Sequence, residues 1–319
     1  MLGIGLLGVG HLGKIHAKCI ALAEGTTLTG FYDTDPDNAA FAENELGIKR
    51  FHSLDALLDA SDAVDIVTPT TTHHALAKEA IMRGKHVFVE KPITSTLAEA
   101  EELLAVAAAN KVAVQVGHVE RFNPAFLALD GFAPDPMFIE AHRLATFNPR
   151  GTDVSVVLDL MIHDLDIVLS LVKSEITEIR ARGVALVSPT PDIANARIEF
   201  ENGCVANLTA SRISLKQMRK VRFFQKDAYV SLDFLEKSAQ IVRLFESAVP
   251  NALELETALG KKFIHVDMPE ISPVNAIKME LEAFAKSVRE GSRPIVSIED
   301  GYKALKVAHL ILEEINIEK

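Results

Sequence analysis

Three side chains have the types and spacing for proton and oxyanion chemistry: Asp159 and His163, four residues apart, and Lys91, within Glu90-Lys91-Pro92. Residues i and i+4 of a helix share a face, so this carboxylate and imidazole can address one bound group. An imidazole titrates near neutral pH and carries protons, while a neighbouring carboxylate orients a substrate hydroxyl or tunes the ring. Val156, Val157, Leu158, Leu160, Met161 and Ile162 surround the pair, a setting in which polar groups are costly without a use. The plain alternative is a polar stripe on a half-buried helix. Lys91 follows the apolar run His86 to Val89, which would hold its ammonium at a strand end where it can stabilise an oxygen gaining negative charge; the alternative is a surface lysine. Swinging that lysine out of a buried strand predicts a cis bond before Pro92.

These groups need a scaffold, and the first residues supply its strongest signal. Gly3-Ile-Gly-Leu-Leu-Gly-Val-Gly-His-Leu-Gly13 is an apolar strand entering a complete G-x-G-x-x-G turn. Gly8 allows the tight turn, Gly10 lets backbone approach a pyrophosphate, and Gly13 permits close helix-strand packing, with His11 and Leu12 opening a helix whose free N–H groups face the phosphates. A second apolar stretch, Leu28 to Tyr32, ends on Asp33, about twenty residues past Gly13, where a ribose-binding acid belongs. A carboxylate there accepts ribose hydroxyls and repels a 2'-phosphate, so NAD is expected over NADP. Capping of the helix at Pro36 is better suited to Asp35. A third strand ends in Thr68-Pro69-Thr70-Thr-Thr-His73-His74; Thr68, Pro69, Thr70 and His73 could line the ribose and nicotinamide, or Thr72 could cap a helix and His73 pack inside it. Glu90 and Lys91 complete the expected cofactor contacts.

Short β-rich runs alternate with helical ones up to Gly117: strands at Leu28 to Asp33, Ala63 to Thr68, His86 to Val89 and Val112 to Val116, helices at Pro36 to Leu46, His73 to Arg83 and Thr96 to Asn110. Continuous apolar strands separated by helices make a parallel sheet covered on both faces. Beyond Pro124, a strand from Met137 to Arg143, a loop through Asn148-Pro149-Arg150-Gly151 and a helix from about Ser155 to Leu171 precede strands at Thr177 to Val187, Ala194 to Phe200, Cys204 to Ser211, Val221 to Phe224 and Tyr229 to Phe234. Glu201-Asn202-Gly203 reads as a hairpin turn. Helices at about Asn275 to Glu290 and Ile298 to Ile315 close the chain. The expected fold is α/β, with a doubly wound Rossmann parallel sheet over residues 1–120 for NAD. An α+β domain over 121–319, with a largely antiparallel open sheet, is expected to bind substrate and mediate oligomerisation. Alternating apolar residues in Ala196 to Phe200 and Val205 to Thr209 suggest two apolar sides of which helices cover one, hence a homodimer or homotetramer.

Lys91, Asp159 and His163, together with the glycine turn, the Thr-Pro loop before His73 and the Glu-Lys-Pro signature at 90 to 92, resemble the Gfo/Idh/MocA family of oxidoreductases over nearly the whole chain. The resemblance implies a lysine, aspartate and histidine arranged around a sugar or polyol hydroxyl, and a second domain whose open sheet faces a partner subunit. Val116-Gly-His-Val-Glu-Arg121-Phe-Asn123-Pro124 and Val157 to Asp166 resemble the branch of UDP-N-acetylglucosamine 3-dehydrogenases, which oxidise a nucleotide-sugar ring hydroxyl to a ketone before amination. Gly151-Thr-Asp-Val-Ser155 departs from the family's glycine-rich stretch, which implies a different pocket mouth. Arg121 and Asn123 are then candidate substrate contacts, although Arg121 suits an interdomain brace better. The implied reaction is NAD-dependent oxidation of a sugar ring hydroxyl, with a free polyol or aldose as the alternative substrate. A non-catalytic NAD sensor would be expected to lack the lysine, aspartate and histidine.

Composition narrows the partners. A formal net charge of -11 over 319 residues argues against nucleic acid or an anionic membrane as a general partner. Two distant cysteines, Cys19 and Cys204, suggest neither a disulfide framework nor a zinc site, so no metal is expected and a reducing cytoplasm is the default. The chain start lacks a basic, signal-peptide-like region. The apolar stretch Val154 to Val172 carries Asp159, His163, Asp164 and Asp166, too polar for a membrane span.

Overall fold

The computed structural model describes residues 1–148, 154–258 and 260–317; the expected loop at Pro149 to Gly151 and the departure at Gly151 to Asp153 lie outside them. The chain divides into two compact units, one of Met1–Phe122 with Asn275–Lys306, the other of Asn123–Val274 with the stretch from Val307.

The first unit alternates strand and helix: β1 Leu2–Leu7, α1 His11–Leu22, β2 Thr26–Tyr32, α2 Pro36–Asn44, α3 Leu54–Ala60, β3 Ala63–Ile66, α4 Thr70–Met82, β4 His86–Glu90, α5 Leu97–Asn110 and β5 Val114–Gly117. All neighbours in the sheet are parallel, in the order β2-β1-β3-β4-β5, so every strand's carboxyl end lies on one edge. The chain reverses its winding between β1 and β3, the crevice where doubly wound sheets bind ligands. Local chemistry fixes the helix ends. Asp35 accepts the amides of Asp37 and Asn38 and caps α2, as expected, and Thr96 with Glu99 forms a reciprocal capping box on α5. The expected start of α4 at His73 is corrected to Thr70: Pro69 is the N-cap, and Thr72 is no cap but donates its hydroxyl to the Pro69 carbonyl at 2.8 Å.

The second unit contains α6 Pro124–Leu127, β6 Phe138–Leu144, a π-helical turn Val157–Met161 running into α7 Ile162–Leu171, then β7 Ile176–Val184, β8 Ile193–Phe200, β9 Val205–Ser211, β10 Met218–Gln225, β11 Ala228–Asp233, β12 Ser238–Phe245, β13 Leu253–Thr257 and β14 Gly260–Asp267. Sequence patterning stopped at Phe234 and missed the last three strands. The nine-stranded sheet has the order β13-β14-β12-β11-β10-β6-β9-β8-β7 and is antiparallel except where β6 runs beside β9. Gly203, at φ 85°, makes the expected hairpin turn between β8 and β9. One face of the sheet carries the core, including Ile139, Ile198, Leu208, Phe223 and Val230 with Leu165 and Val168 of α7.

The opposite face corrects the basis for an apolar partner surface along β8 and β9, because the outward positions there are mostly polar, Asn195, Arg197, Glu199, Asn207 and Thr209, with Ile193 and Val205 only at the strand starts. A longer apolar outward row starts at Val205 and runs along the rest of the sheet. Register places Val205, Phe138, Phe224, Tyr229, Val242 and Val266 side by side across β9, β6, β10, β11, β12 and β14.

The expectation of one continuous domain from 121 to 319 also needs correction. Helix α8, Ala276–Glu290, and the start of α9, Ile298–Ile317, return to the first unit. The apolar stripe Leu281, Phe284 and Ala285 joins the core of Ile4, Ile20 and Phe88, and Gln115 of β5 donates to the Glu280 carbonyl at 2.7 Å. From Val307 onward, Ala308, Ile311 and Ile315 of α9 join the second unit's core. Among the described residues, no helix is long and apolar enough to cross a membrane.

Candidate functional site

In the first unit the expected cofactor residues converge on the carboxyl edge of the parallel sheet. Gly8, at φ 88°, lies so close to β3 that a Cβ would sit 2.8 Å from the Val67 carbonyl oxygen. At Gly13 a Cβ would meet the Gly8 carbonyl oxygen at 2.1 Å, whereas at Gly10 it would meet nothing within 4 Å. Backbone packing therefore requires glycine at 8 and 13, but leaves Gly10 facing open space. Helix α1 begins there with no side-chain cap and no acidic residue in its first turn. Its leading N–H groups are thus left for an anion. His11 and Leu12 are exposed in that turn.

Asp33 is tied to the same loop. One carboxylate oxygen accepts the Val9 amide at 2.7 Å and the other the Asp35 amide at 2.8 Å. Each oxygen keeps a second lone pair, so the carboxylate is oriented and can still accept a ribose hydroxyl. The donors, the open space over Gly10 and this acid fit a dinucleotide.

Of the two expectations for His73, the structure shows the packed one. It is 1% exposed, with Nδ1 2.9 Å from the Pro92 carbonyl oxygen and Nε2 2.9 Å from that of Thr68. Burial holds its pKa below the ordinary value against the pull of those carbonyls. His73 is a strut between the Thr68-Pro69-Thr70 loop and the Lys91-Pro92 turn. The Lys91–Pro92 bond is cis, as expected. Glu90, expected at the cofactor, turns inward instead: its carboxylate is 3.2 Å from His16 Nε2 and accepts the Lys91 amide at 3.1 Å. A Cβ at Gly117 would lie 2.8 Å from Glu90 Oε1, so the glycine at the end of β5 makes room for this inward turn. Burial opposes the charge on Glu90, but His16 and Lys91 outweigh it and hold its pKa low. Lys91 itself is half-buried at the mouth of the edge.

In the second unit Asp159 and His163 are both half-buried. Asp159 lies in the π-helical turn and His163 in the first turn of α7, while Val156, Val157, Met161 and Ile162 are fully buried around them. The segment thus buries its apolar side and leaves the acid–imidazole pair part-exposed. What sequence reasoning missed is the anchor beneath it: Asp164, 2% exposed, receives Arg143 of β6 in a two-pronged contact, Nη2 to Oδ1 at 2.8 Å and Nε to both oxygens at 3.2 Å. Such planar pairing fixes orientation as well as charge, and so fixes the helix that carries His163. Arg121 is half-buried in a 3-10 turn, Val119–Phe122. Asn123 is corrected from a substrate contact to a structural residue, since its side chain caps α6 by accepting the Ala125 amide at 3.0 Å and donates to the Phe234 carbonyl at 3.0 Å.

Comparison with known proteins agrees with this architecture. Residues 2–118 match the family model described as "Oxidoreductase family, NAD-binding Rossmann fold", and residues 131–227 match "GFO/IDH/MocA C-terminal domain". The chain is 39% identical to UDP-N-acetylglucosamine 3-dehydrogenase of Acidithiobacillus ferrooxidans over 91% of this chain and 90% of that protein. It is 30% identical to scyllo-inositol 2-dehydrogenase (NAD(+)) of Bacillus subtilis over 95% of this chain and 90% of that one. A solved structure of the Acidithiobacillus enzyme superposes with a TM-score of 0.89 at 35% identity, covering 98% of this chain and 97% of the other. The protein is a member of the Gfo/Idh/MocA family of NAD-binding oxidoreductases.

Proposed function

We propose that this protein is an NAD-dependent dehydrogenase of a nucleotide sugar, oxidising the 3-hydroxyl of UDP-N-acetylglucosamine to a ketone. The observation that carries the reading is 39% identity to an enzyme of that name across nine-tenths of both chains. Bound NAD supplies the acceptor for the hydride from the carbinol carbon. The glycine turn and the uncapped start of α1 hold the pyrophosphate, and Asp33 the adenosine ribose. Lys91 steadies the substrate oxygen as it gains negative charge. His163 takes the hydroxyl proton, and Asp159 orients the substrate and the ring. Arg121 serves as a brace.

We place the protein in the cytoplasm with its soluble cofactor and substrate, as a homodimer or homotetramer. The outward row Val205, Phe138, Phe224, Tyr229, Val242 and Val266 supports a self-association face, since Phe224 and Val266 are 40% and 44% exposed and such contiguous apolar surface marks an interface.

The test is NADH formation by the purified protein with NAD and a panel of UDP-sugars, myo-inositol and scyllo-inositol, with an aminotransferase present to withdraw the ketone. UDP-N-acetylglucosamine is expected to give NADH and the inositols none. NADH from an inositol alone would move the assignment to a polyol dehydrogenase.

A further inference from the structure

Beneath the Lys91 turn lies a group of polar side chains that the reaction does not touch. His16 of α1 and Asp65 of β3 are both 0% exposed, and His16 Nδ1 is 2.8 Å from Asp65 Oδ2. On its other side His16 Nε2 is 3.2 Å from Glu90 Oε1, an ion-pair contact without the alignment of a hydrogen bond. Glu280 of α8, also 0% exposed, stands over the group: a ligand atom of each of His16, Glu90 and Glu280 lies within 4.8 Å of the others. Among the described residues, neither Glu280 carboxyl oxygen has a hydrogen-bond partner. The Phe88 ring packs edge-on against both His16 and Phe284 at 5.9 Å. The other polar side chain nearby, Gln115 of β5, anchors the Glu280 carbonyl.

The protonation pattern follows from this geometry. An imidazole with one carboxylate hydrogen-bonded at Nδ1 and a second within ion-pair distance of Nε2 is best accommodated as imidazolium, with a proton on each nitrogen. That leaves His16 no lone pair for a metal ion. Asp65, His16 and Glu90 then carry one net negative charge, balanced by Lys91 beyond. A further ionised carboxyl at Glu280 would be a buried like charge without a partner, so it retains its proton. The expected pKa directions agree: burial opposes a charged His16, but Asp65 and Glu90 outweigh it and lift its pKa well above the ordinary value, and burial with Glu90 nearby lifts that of Glu280.

We propose that His16 is a positioning residue: a permanently charged imidazolium that links Asp65 to Glu90, locks the Glu90–Lys91 turn through the bond from the Lys91 amide, and is shielded by a neutral Glu280. The functional half rests on the reading of Lys91 given above. Glu90 touches both His16 and the lysine's main chain, so loss of its orienting partner misplaces the Lys91 ammonium without altering the glycine turn.

The direct test needs no turnover. In the apoprotein labelled with 15N-histidine, the His16 ring is expected to show two protonated nitrogens from about pH 6 to about pH 9, a range in which an ordinary histidine loses its charge. Infrared difference spectra are expected to show a protonated carboxyl band that Glu280→Gln removes. A neutral His16 ring near pH 7, absence of that band, or a stoichiometric metal ion released by chelation would overturn the proposal. In the enzyme, His16→Asn and Glu90→Gln are expected to lower kcat at least about tenfold with KM for NAD changed less than about threefold. Full kcat in a folded His16→Asn variant would overturn the positioning role. Unchanged turnover in Lys91→Ala would instead refute the role given to Lys91, leaving the spectroscopic result to stand or fall by itself.

Discussion

Gly10→Ala and Gly13→Ala separate what the glycine turn does for the fold from what it does for the cofactor. At Gly10 a Cβ meets nothing within 4 Å, and the backbone, at φ -63° and ψ -159°, lies at the edge of the extended region and not in the left-handed one. The methyl group is therefore expected to change the unfolding free energy by no more than about 0.5 kcal/mol. It would, however, occupy the space where a pyrophosphate must approach the start of α1. At Gly13 the new Cβ would lie 2.1 Å from the Gly8 carbonyl oxygen, against about 3.3 Å for an ordinary carbon–oxygen contact. The turn must open by about 1 Å, which is expected to weaken NAD at least about tenfold, or about 1.4 kcal/mol of binding, with about 1–3 kcal/mol lost from the fold. Calorimetric titration with NAD, alongside denaturant unfolding, reads both quantities. Gly10→Ala is expected to weaken NAD at least about tenfold in a fold of unaltered stability, and Gly13→Ala to lose on both counts. A Gly10→Ala protein that binds NAD within about threefold of the parent would show that the pyrophosphate does not lie there.

Asp33→Ala is expected to weaken NAD and narrow its advantage over NADP, because the oriented acid both accepts the ribose and repels a 2'-phosphate; competitive titration of the two cofactors measures it. Lys91→Ala and His163→Ala should each reduce turnover by about two to four orders of magnitude while NAD affinity by titration stays near that of the parent. Arg143→Leu removes the two-pronged partner of the buried Asp164 and is expected to cost about 3–5 kcal/mol in urea unfolding, with part of that recovered when Asp164→Leu is added. Asp192 accepts the amides of Leu186, Val187 and Ser188; burial works against its charge, but these bonds and the Ser188 hydroxyl hold its pKa at about 2. A depressed acid stabilises above its unfolded pKa of about 3.9, so this contribution should fade as pH falls from there to about 2, and the acid-unfolding curve of Asp192→Asn should lack that segment.

The parts of the site legible in the sequence are those whose chemistry is local. The Gly8, Gly10 and Gly13 spacing and Asp33 at the end of the next strand each depend on one turn or strand, whereas Asp159 and His163, expected on one α-helix, stand in a π-helical turn and in α7. Asn123 shows how a local signal can be overridden by an attractive role: Asn before Pro124 is an N-cap followed by proline at the first helical position, and the structure uses it so. The His16 group was not legible because His16, Asp65 and Glu90 come from α1, β3 and β4, far apart in the chain, and Glu280 joins them only when α8 returns to the first unit. One trace was present, since Asp65 interrupts the buried strand Ala63–Ile66 and a charge there demands a partner. Amphipathic periodicity identified α8 as a helix, but periodicity cannot tell which core receives its apolar stripe. The last three strands were missed for a related reason: β13 is exposed throughout and its pattern reflects pairing with β14 rather than burial.

The most direct test of the account is hydride tracing. UDP-N-acetylglucosamine deuterated at C3 is incubated with the purified protein and NAD, with an aminotransferase drawing off the ketone, and the reduced cofactor is analysed by mass spectrometry and proton NMR. One deuterium is expected on the nicotinamide C4 of every reduced cofactor, with formation slowed by the isotope and abolished to within detection in the Lys91→Ala, His163→Ala double variant. Reduced cofactor without deuterium, or none with this sugar while an inositol reduces NAD, would contradict it.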